Sequence, residues 1–402
     1  MNMLSYFEME IRVKKITTLA WMFMSLFIFL ASLSATAFGS GLNPIATARA
    51  DATQPVVQLR LIRTIKTDYV INRLAWHPSG RQIAAAQNLN KKISIWDTST
   101  GKAIHTIESE AGGAGALAYS PDGKYLAVGR NFVQVTKPHV HIYDAASGEL
   151  VRSFVPPQAP KGNGPNAVGT NAAEALAFSP DSHRFATHGY GGGAVGVVYD
   201  LSNGSVVATL APSTSTFDAV RSLAWSPDGR WVALGRRNRL ELWNSTSWKL
   251  ERQRDVDRQT IHALVFSPDN HRLALGGLRS TFGEAEAREY ARLPENFRRS
   301  HPAPESMPND LFLLDPVSLS ISNAFSSNHN GSFIRELAFT PDGKFLVSGA
   351  GARSVAVHEV SSGNVSVFLK DFKQPAHPAL SKDGKYVAVG TGQEVRLYEI
   401  TR

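Results

Sequence analysis

Residues 225–244 read WSPDGRWVALGRRNRLELWN. An aromatic residue leads into Ser226-Pro227-Asp228-Gly229, an apolar run follows, and the stretch closes on Leu242-Trp243-Asn244. Pro presets φ and Gly accepts a positive φ, so this step between two apolar runs reads as a turn between strands. The phrase recurs. Its turns are Trp76-His77-Pro78-Ser79-Gly80, Tyr119-Ser120-Pro121-Asp122-Gly123, Phe178-Ser179-Pro180-Asp181-Ser182, Phe266-Ser267-Pro268-Asp269-Asn270 and Phe339-Thr340-Pro341-Asp342-Gly343, with a degenerate Leu380-Ser381-Lys382-Asp383-Gly384. The anchors at 76, 119, 178, 225, 266, 339 and 380 are spaced 43, 59, 47, 41, 73 and 41 residues apart. A second mark follows most anchors: Ile95-Trp96-Asp97, Ile142-Tyr143-Asp144, Val198-Tyr199-Asp200, Leu314-Asp315, Val357-His358-Glu359 and Leu397-Tyr398-Glu399.

A base period near 41 residues is that of a four-stranded propeller blade. Ile93 and Ile95 alternate with Ser94 and Trp96, and Val140 and Ile142 with His141 and Tyr143, which is strand periodicity. Over residues 56–402 the pattern resembles the WD-repeat family, in the bacterial style in which the Ser-Pro-Asp-Gly turn dominates. The resemblance implies an all-β, seven-bladed β-propeller. The Gly-His dipeptide that opens many repeats of the family is absent, so the His–Asp hydrogen-bond network tied to it is expected to be absent too. The strands read as apolar on both faces, as blades packed face to face require. The last repeat ends at Ile400 on its third strand, Glu394 to Ile400, whereas Val57–Ile65 is a strand-like run without a repeat of its own. That run can supply the missing outer strand and close the ring without an open edge.

The chain has 402 residues, is 43% apolar and holds no Cys. This excludes wholesale disorder, a thiol nucleophile, a disulfide scaffold and Cys-based metal sites. The net charge of +8 is spread along the chain, which argues against nucleic acid as a partner. Ile16 to Leu33 is uncharged and follows Arg12, Lys14 and Lys15. This reads as an export segment over 1–50, either cleaved after Ala37 or Ala50 or retained as an anchor, with the propeller over 51–402. Both readings place the bulk of the chain outside the cytoplasm, periplasmic or secreted, because the positive charges stay inside.

The Ser-Pro-Asp-Gly turns and the Gly- or Ser-bearing turns leave one rim. The long loops leave the opposite rim, the top. The insertions at 155–172 and 279–310, Gly191-Gly192-Gly193 and the Arg236-Arg237-Asn238-Arg239 hairpin all map there. Thr281 and Glu284 have capping-box spacing, so a short helix over Glu284 to Leu293 is expected before Pro294. Arg236, Arg237, Arg239 and Arg353 fall on the same rim, and Arg73, Arg221 and Arg335 stand at or beside the leading position of an innermost strand. His262 and Glu174 share that position in other repeats. Converging guanidinium groups suit a carboxylate or phosphate partner, while the plain alternative is a solvated rim.

His139 and His141 alternate on one strand, but a metal site needs a third ligand and none can be placed, so no metal or other cofactor is expected. The recurring turn aspartates read as structural, and Asp255 with Asp257 are too few for a calcium loop. No phosphate loop, nucleophile elbow or zinc-protease motif occurs. The resemblance implies a non-enzymatic scaffold that binds a protein partner, with an acidic surface, through the loop-rich top face. An enzyme using the central channel, lactonase-like or a dehydrogenase subunit, is the alternative. So is a binder of an anionic small molecule or envelope polymer.

Overall fold

The computed structural model describes residues 57–402 except 88–91, 110–113, 131–132, 135–136, 156–169, 172, 189–195, 211–219, 280–309, 328, 330–332, 351–352 and 371. All of these belong to the second of the two units into which the chain divides, Pro55–Arg402. The export segment, both cleavage motifs, the glycine run, the helix expected over 284–293 and most of both insertions lie outside the described residues. Among the described residues every regular element is a strand, and no helix is long and apolar enough to cross a membrane.

After β1 (Gln58–Lys66), the first sheet holds β2 (Ile71–Trp76), β3 (Gln82–Gln87), β4 (Lys92–Asp97) and β5 (Ala103–Glu108). The second holds β6 (Ala114–Tyr119) and β7 (Tyr125–Arg130), then, beyond the short β8 (Val133–Gln134), β9 (Val140–Asp144) and β10 (Leu150–Phe154). β8 pairs with β11 (Thr170–Asn171), which ties the end of the 155–172 insertion to the β7–β9 connection. The third sheet is β12 (Leu176–Phe178), β13 (Arg184–His188), β14 (Gly196–Asp200) and β15 (Val206–Leu210).

Next come β16 (Ser222–Trp225), β17 (Trp231–Gly235), β18 (Arg237–Asn244), β19 (Leu250–Phe266), β20 (Leu273–Arg279), β21 (Leu311–Leu314) and β22 (Ile321–Phe325) in one continuous sheet. It counts as two four-stranded units. β19, 17 residues long, is the outer strand of the first through its pairing with β18 and the inner strand of the second through its pairing with β20. β23 (Ile334–Phe339), β24 (Phe345–Ala350), β25 (Ser354–Glu359) and β26 (Val365–Leu369) form another sheet. The last has β27 (Ala376–Leu380), β28 (Tyr386–Thr391) and β29 (Glu394–Thr401), and β1 completes it antiparallel to β29, with Gln58 opposite Thr401 and Lys66 opposite Glu394. This is the pairing that the strand count over 57–65 predicts.

The innermost strands pack in series, β2 on β6, then β12, β16, β19, β23 and β27, and β27 packs back on β2. At five junctions the second strand of a sheet meets the inner strand of the next one at a glycine. A Cβ on Gly129 would lie 2.3 Å from the carbonyl oxygen of Ala173, and one on Gly390 would lie 2.5 Å from Ile71. Gly235, Gly276 and Gly349 face Ile261, Ile334 and Pro378 in the same way. Apolar residues from both sides fill the rest of each contact, as with Phe154, Phe178, Phe185 and Tyr199 between the second and third sheets.

The turns repeat one hydrogen-bond set. The buried hydroxyls of Ser120, Ser179, Ser226, Ser267, Thr340 and Ser381 donate to Asp122, Asp181, Asp228, Asp269, Asp342 and Asp383 over 2.5–2.7 Å. Each hydroxyl accepts the backbone N–H five residues on, and each carboxylate accepts the N–H two residues on, as with Tyr125 and Lys124 in the second sheet. Arginines on outer strands reach the following sheet. Arg63 donates to the carbonyls of Ser99 and Thr100, Arg152 to those of Ser202 and Asn203, and Arg254 to that of Leu319.

One expectation is corrected. The outer strands are not apolar on two dry faces, because Leu61, Ile62, Ile104, Leu150, Val151, Val206, Leu250 and Ile321 are exposed; no further sheet covers their outer side. One sheet holds a histidine–serine network, which is distinct from the His–Asp network tied to Gly-His. His329 bridges Ser354, at 2.7 Å from Nδ1, and Ser348, at 2.9 Å from Nε2, and Ser348 also meets His358 at 2.8 Å.

Gly129→Ala is expected to lower stability by about 1–3 kcal/mol, because the added methyl meets backbone and not a flexible side chain. Thermal unfolding checks this against Gly343→Asn. There a Cβ meets nothing within 4 Å and Asn tolerates the φ of 67°, so little change is expected.

Candidate functional site

At the start of β2, β6, β19 and β23 the register with the second strand slips, so that two residues oppose one. Such bulges re-aim side chains at the rims of β structures. The extra residues are Asn72, Gly115, His262 and Arg335. Glu174 and Arg221 stand just ahead of β12 and β16, and Arg73 and Glu336 just behind two of the bulges.

These leading positions form one electrostatic group. The Arg221 charge acts on His188 and His262, and that of Arg335 on His262. Glu174 acts on both Arg221 and Arg335, and Arg73 on Arg335 and Glu336. Burial, then the Arg221 and Arg335 charges, push His262 down to about 4, so its ring is neutral at pH 7. Phe333 lies between His262, whose ring is 5.3 Å away, and the Arg335 guanidinium, 4.5 Å above its centroid. Burial would raise the Glu336 carboxyl, but the His377 hydrogen bond at 2.9 Å and the Arg73 and Arg335 charges outweigh it and hold it below the usual range. His188 occupies in the third sheet the place that Gly235 has in the next unit; burial and then the Arg221 charge take it down to about 3.

The seven arginines singled out in the sequence separate into three groups. Arg73, Arg221 and Arg335 come together as described. Arg237, Arg239 and Arg353 are surface residues: Arg237 and Arg353 are exposed, and Arg239 lies 3.5 Å from Asp255 on β19. Arg236 is a correction. Its side chain is 2% exposed and its Nε lies 3.2 Å from a Glu241 oxygen, so it is no part of a solvated rim. The tight turn closed by the Arg236 N–H on the Arg239 carbonyl, with Asn238 at φ 60°, folds it back onto β18. Trp243 Nε1 donates to the other Glu241 oxygen at 3.1 Å. Phe333 and His377 escaped the sequence reading. Both sit at leading ends, Phe333 beside the β23 bulge and His377 at the start of β27.

His139 and His141 are buried. His139 Nδ1 lies 3.1 Å from the Phe154 carbonyl and His141 Nδ1 lies 2.8 Å from Ser153 Oγ, so neither faces an open site. Burial pushes His139 down to about 4. Among the described residues no three His, Asp or Glu side chains group as metal ligands. Asp97, accepting from Ser99 and Thr100, is lowered to about 2, and Asp269, accepting from Ser267 and the His271 N–H, is also lowered.

A profile described as the anaphase-promoting complex subunit 4 WD40 domain matches residues 36–114, and one described as WD domain, G-beta repeat, matches 204–244 and 322–358. Similar curated proteins include an Arabidopsis thaliana "Cell division cycle 20.1, cofactor of APC complex", 28% identical over 53% of this chain and 43% of its own length. A Schistosoma mansoni "WD repeat-containing protein SL1-17" is 29% identical over 38% and 42%. The Arabidopsis thaliana "WD repeat-containing protein VIP3" is 23% identical over 55% and 53%. The chain therefore spans about half the length of the curated relatives it matches. The matched segments are WD repeats, and the four-stranded sheets are those of a β-propeller-like fold.

Arg236→Met should cost about 3–5 kcal/mol by leaving Glu241 buried with its charge unbalanced, and adding Glu241→Gln should recover most of that; urea denaturation of both variants measures it. Stability should also fall with acidification. His139, His188, His262, His329 and His358 have an ordinary value of 6.5 and folded values of about 3 to 4. Between those limits the unfolded chain binds protons that the folded chain does not, so each histidine's contribution fades as pH drops below 6.5. The lowered aspartates add to the loss below about pH 4. Urea midpoints from pH 7.5 to 3.5 should fall throughout, and a flat profile down to pH 4.5 would contradict this.

Proposed function

We propose that the chain is a non-enzymatic scaffold outside the cytoplasm, a seven-bladed propeller that binds an acidic protein partner through the face bearing its long loops. The arrangement at the leading ends carries this reading. Three arginines, two glutamates and two histidines from six successive sheets or half-sheets are gathered at one end, and Arg237 and Arg353 are exposed elsewhere on the surface. Arginine and aromatic side chains on a rigid framework are the means by which binding surfaces anchor partners. WD-repeat relatives support a protein-interaction role, and one relative's name describes a cofactor of a complex. The cyclic series of inner strands and the β1–β29 pairing support seven closed blades. The uncharged run 16–33 behind Arg12, Lys14 and Lys15 supports export, with cleavage or retention as an anchor both consistent with it.

Affinity capture from a cell-envelope extract tests the reading. The full chain is compared with the Arg237→Glu, Arg239→Glu, Arg353→Glu variant, which leaves the buried Arg236 pair intact. A specific protein retained by the parent and reduced at least tenfold by the variant is expected. Retention unchanged by the variant would remove the surface arginines from the interface, and capture of no protein by the parent would overturn the scaffold.

A further inference from the structure

We infer that the leading ends of the innermost strands form a seat for one carboxylate carried by a peptide segment. The seat rests on the scaffold reading and gives it a chemistry. Three guanidinium groups, Arg73, Arg221 and Arg335, act on one another or on shared neighbours there, against the two carboxylates of Glu174 and Glu336. His262, between Arg221 and Arg335, stays neutral, so the group carries a surplus positive charge without it. That surplus suits a singly charged carboxylate. A phosphate dianion would meet a surplus too small to offset both of its charges.

The arginines are also placed for it. Phe333 backs the Arg335 guanidinium at 4.5 Å, which fixes the plane of a fork that carboxylates match with two hydrogen bonds. Glu174 acts electrostatically on both Arg221 and Arg335, so the two guanidinium groups share one carboxylate neighbour. Glu336 is held by His377 and most of its side chain is buried, so it sets the position of Arg73 and Arg335 more than it repels a ligand. In the second sheet the same level carries the small residues Gly115 and Ala116.

Two sources offer this chemistry, an Asp or Glu side chain and a free chain terminus. The full-length protein would be titrated calorimetrically with three pentapeptides: acetyl-Gly-Ser-Glu-Ser-Gly-amide, its Gln counterpart, and acetyl-Gly-Ser-Gly-Ser-Gly with a free carboxylate. Binding of one or both acidic peptides, at least tenfold tighter than the Gln peptide, is expected, and the tighter one names the source. Arg221→Met and Arg335→Met should each weaken it at least tenfold, whereas Arg221→Lys should retain part and Arg230→Met, at the opposite end of the strands, all of it. Thermal midpoints of the variants identify any loss that comes from misfolding, and Arg221→Lys then serves in place of Arg221→Met. Equal binding of the Gln peptide, no binding of any peptide, or binding unaffected by Arg221→Met and Arg335→Met in folded protein would overturn the seat. Any of these results with partner capture intact would leave the scaffold standing.

Discussion

At five junctions neighbouring sheets approach so closely that a hydrogen atom is all that fits where a second strand meets the next inner strand. Gly129, Gly235, Gly276, Gly349 and Gly390 hold those places, and Ala173, Ile261, Ile334, Pro378 and Ile71 fill the space they leave. The approach dries the sheet faces and lets Arg63, Arg152 and Arg254 reach carbonyls on the following sheet. It also leaves no room at that level for the charged residues that lead the inner strands. The bulges resolve the conflict by adding a residue, so that Ile71, Ile261 and Ile334 stay in the dry contact while Arg73, His262 and Arg335 are set apart from it. Packing and site are therefore consequences of one geometric limit.

The turns and strands were legible because their signals are local. Ser-Pro-Asp-Gly encodes its own hydrogen bonds within six residues, and alternation reports the faces of the inner strands. The pairing of β1 with β29 was legible by counting strands. What escaped was set by distance in space. Arg236 reads as part of a solvated basic run, yet Glu241, flanked by Leu240 and Leu242 on a dry strand, needs a cation beside it. A carboxylate inside LELW was the available clue. The contacts of His329 with Ser348 and Ser354 escaped because those serines are 19 and 25 residues away in the chain. The recurring Gly at the end of the second strand was visible but has no meaning until the neighbouring sheet is present.

The site was half legible. Arg73, Arg221, Arg335, His262 and Glu174 could be aligned by repeat position, so their meeting followed from the repeat itself. The partnerships within the group did not follow, because a register slip of one residue decides whether a side chain joins the dry contact or the charged group. Phe333 belongs to a connection and His377 to the degenerate last repeat, where the repeat pattern is weakest. The larger loops lie outside the described residues.

The pairing of β1 with β29 also orders events during synthesis. The strand made first must find a partner made last, more than 300 residues later in the chain. At about 5–20 residues per second the ribosome takes on the order of tens of seconds to supply it. For that time Leu59, Leu61, Ile62 and Ile65 belong to a strand without a ladder, and the nascent chain is an incomplete array whose last contact has the longest loop to close. Exposed strand edges of this kind recruit other chains. The charges of Arg60, Arg63 and Lys66, spaced through those apolar residues, then act as gatekeepers before they take up their ion pairs and carbonyl contacts in the finished fold.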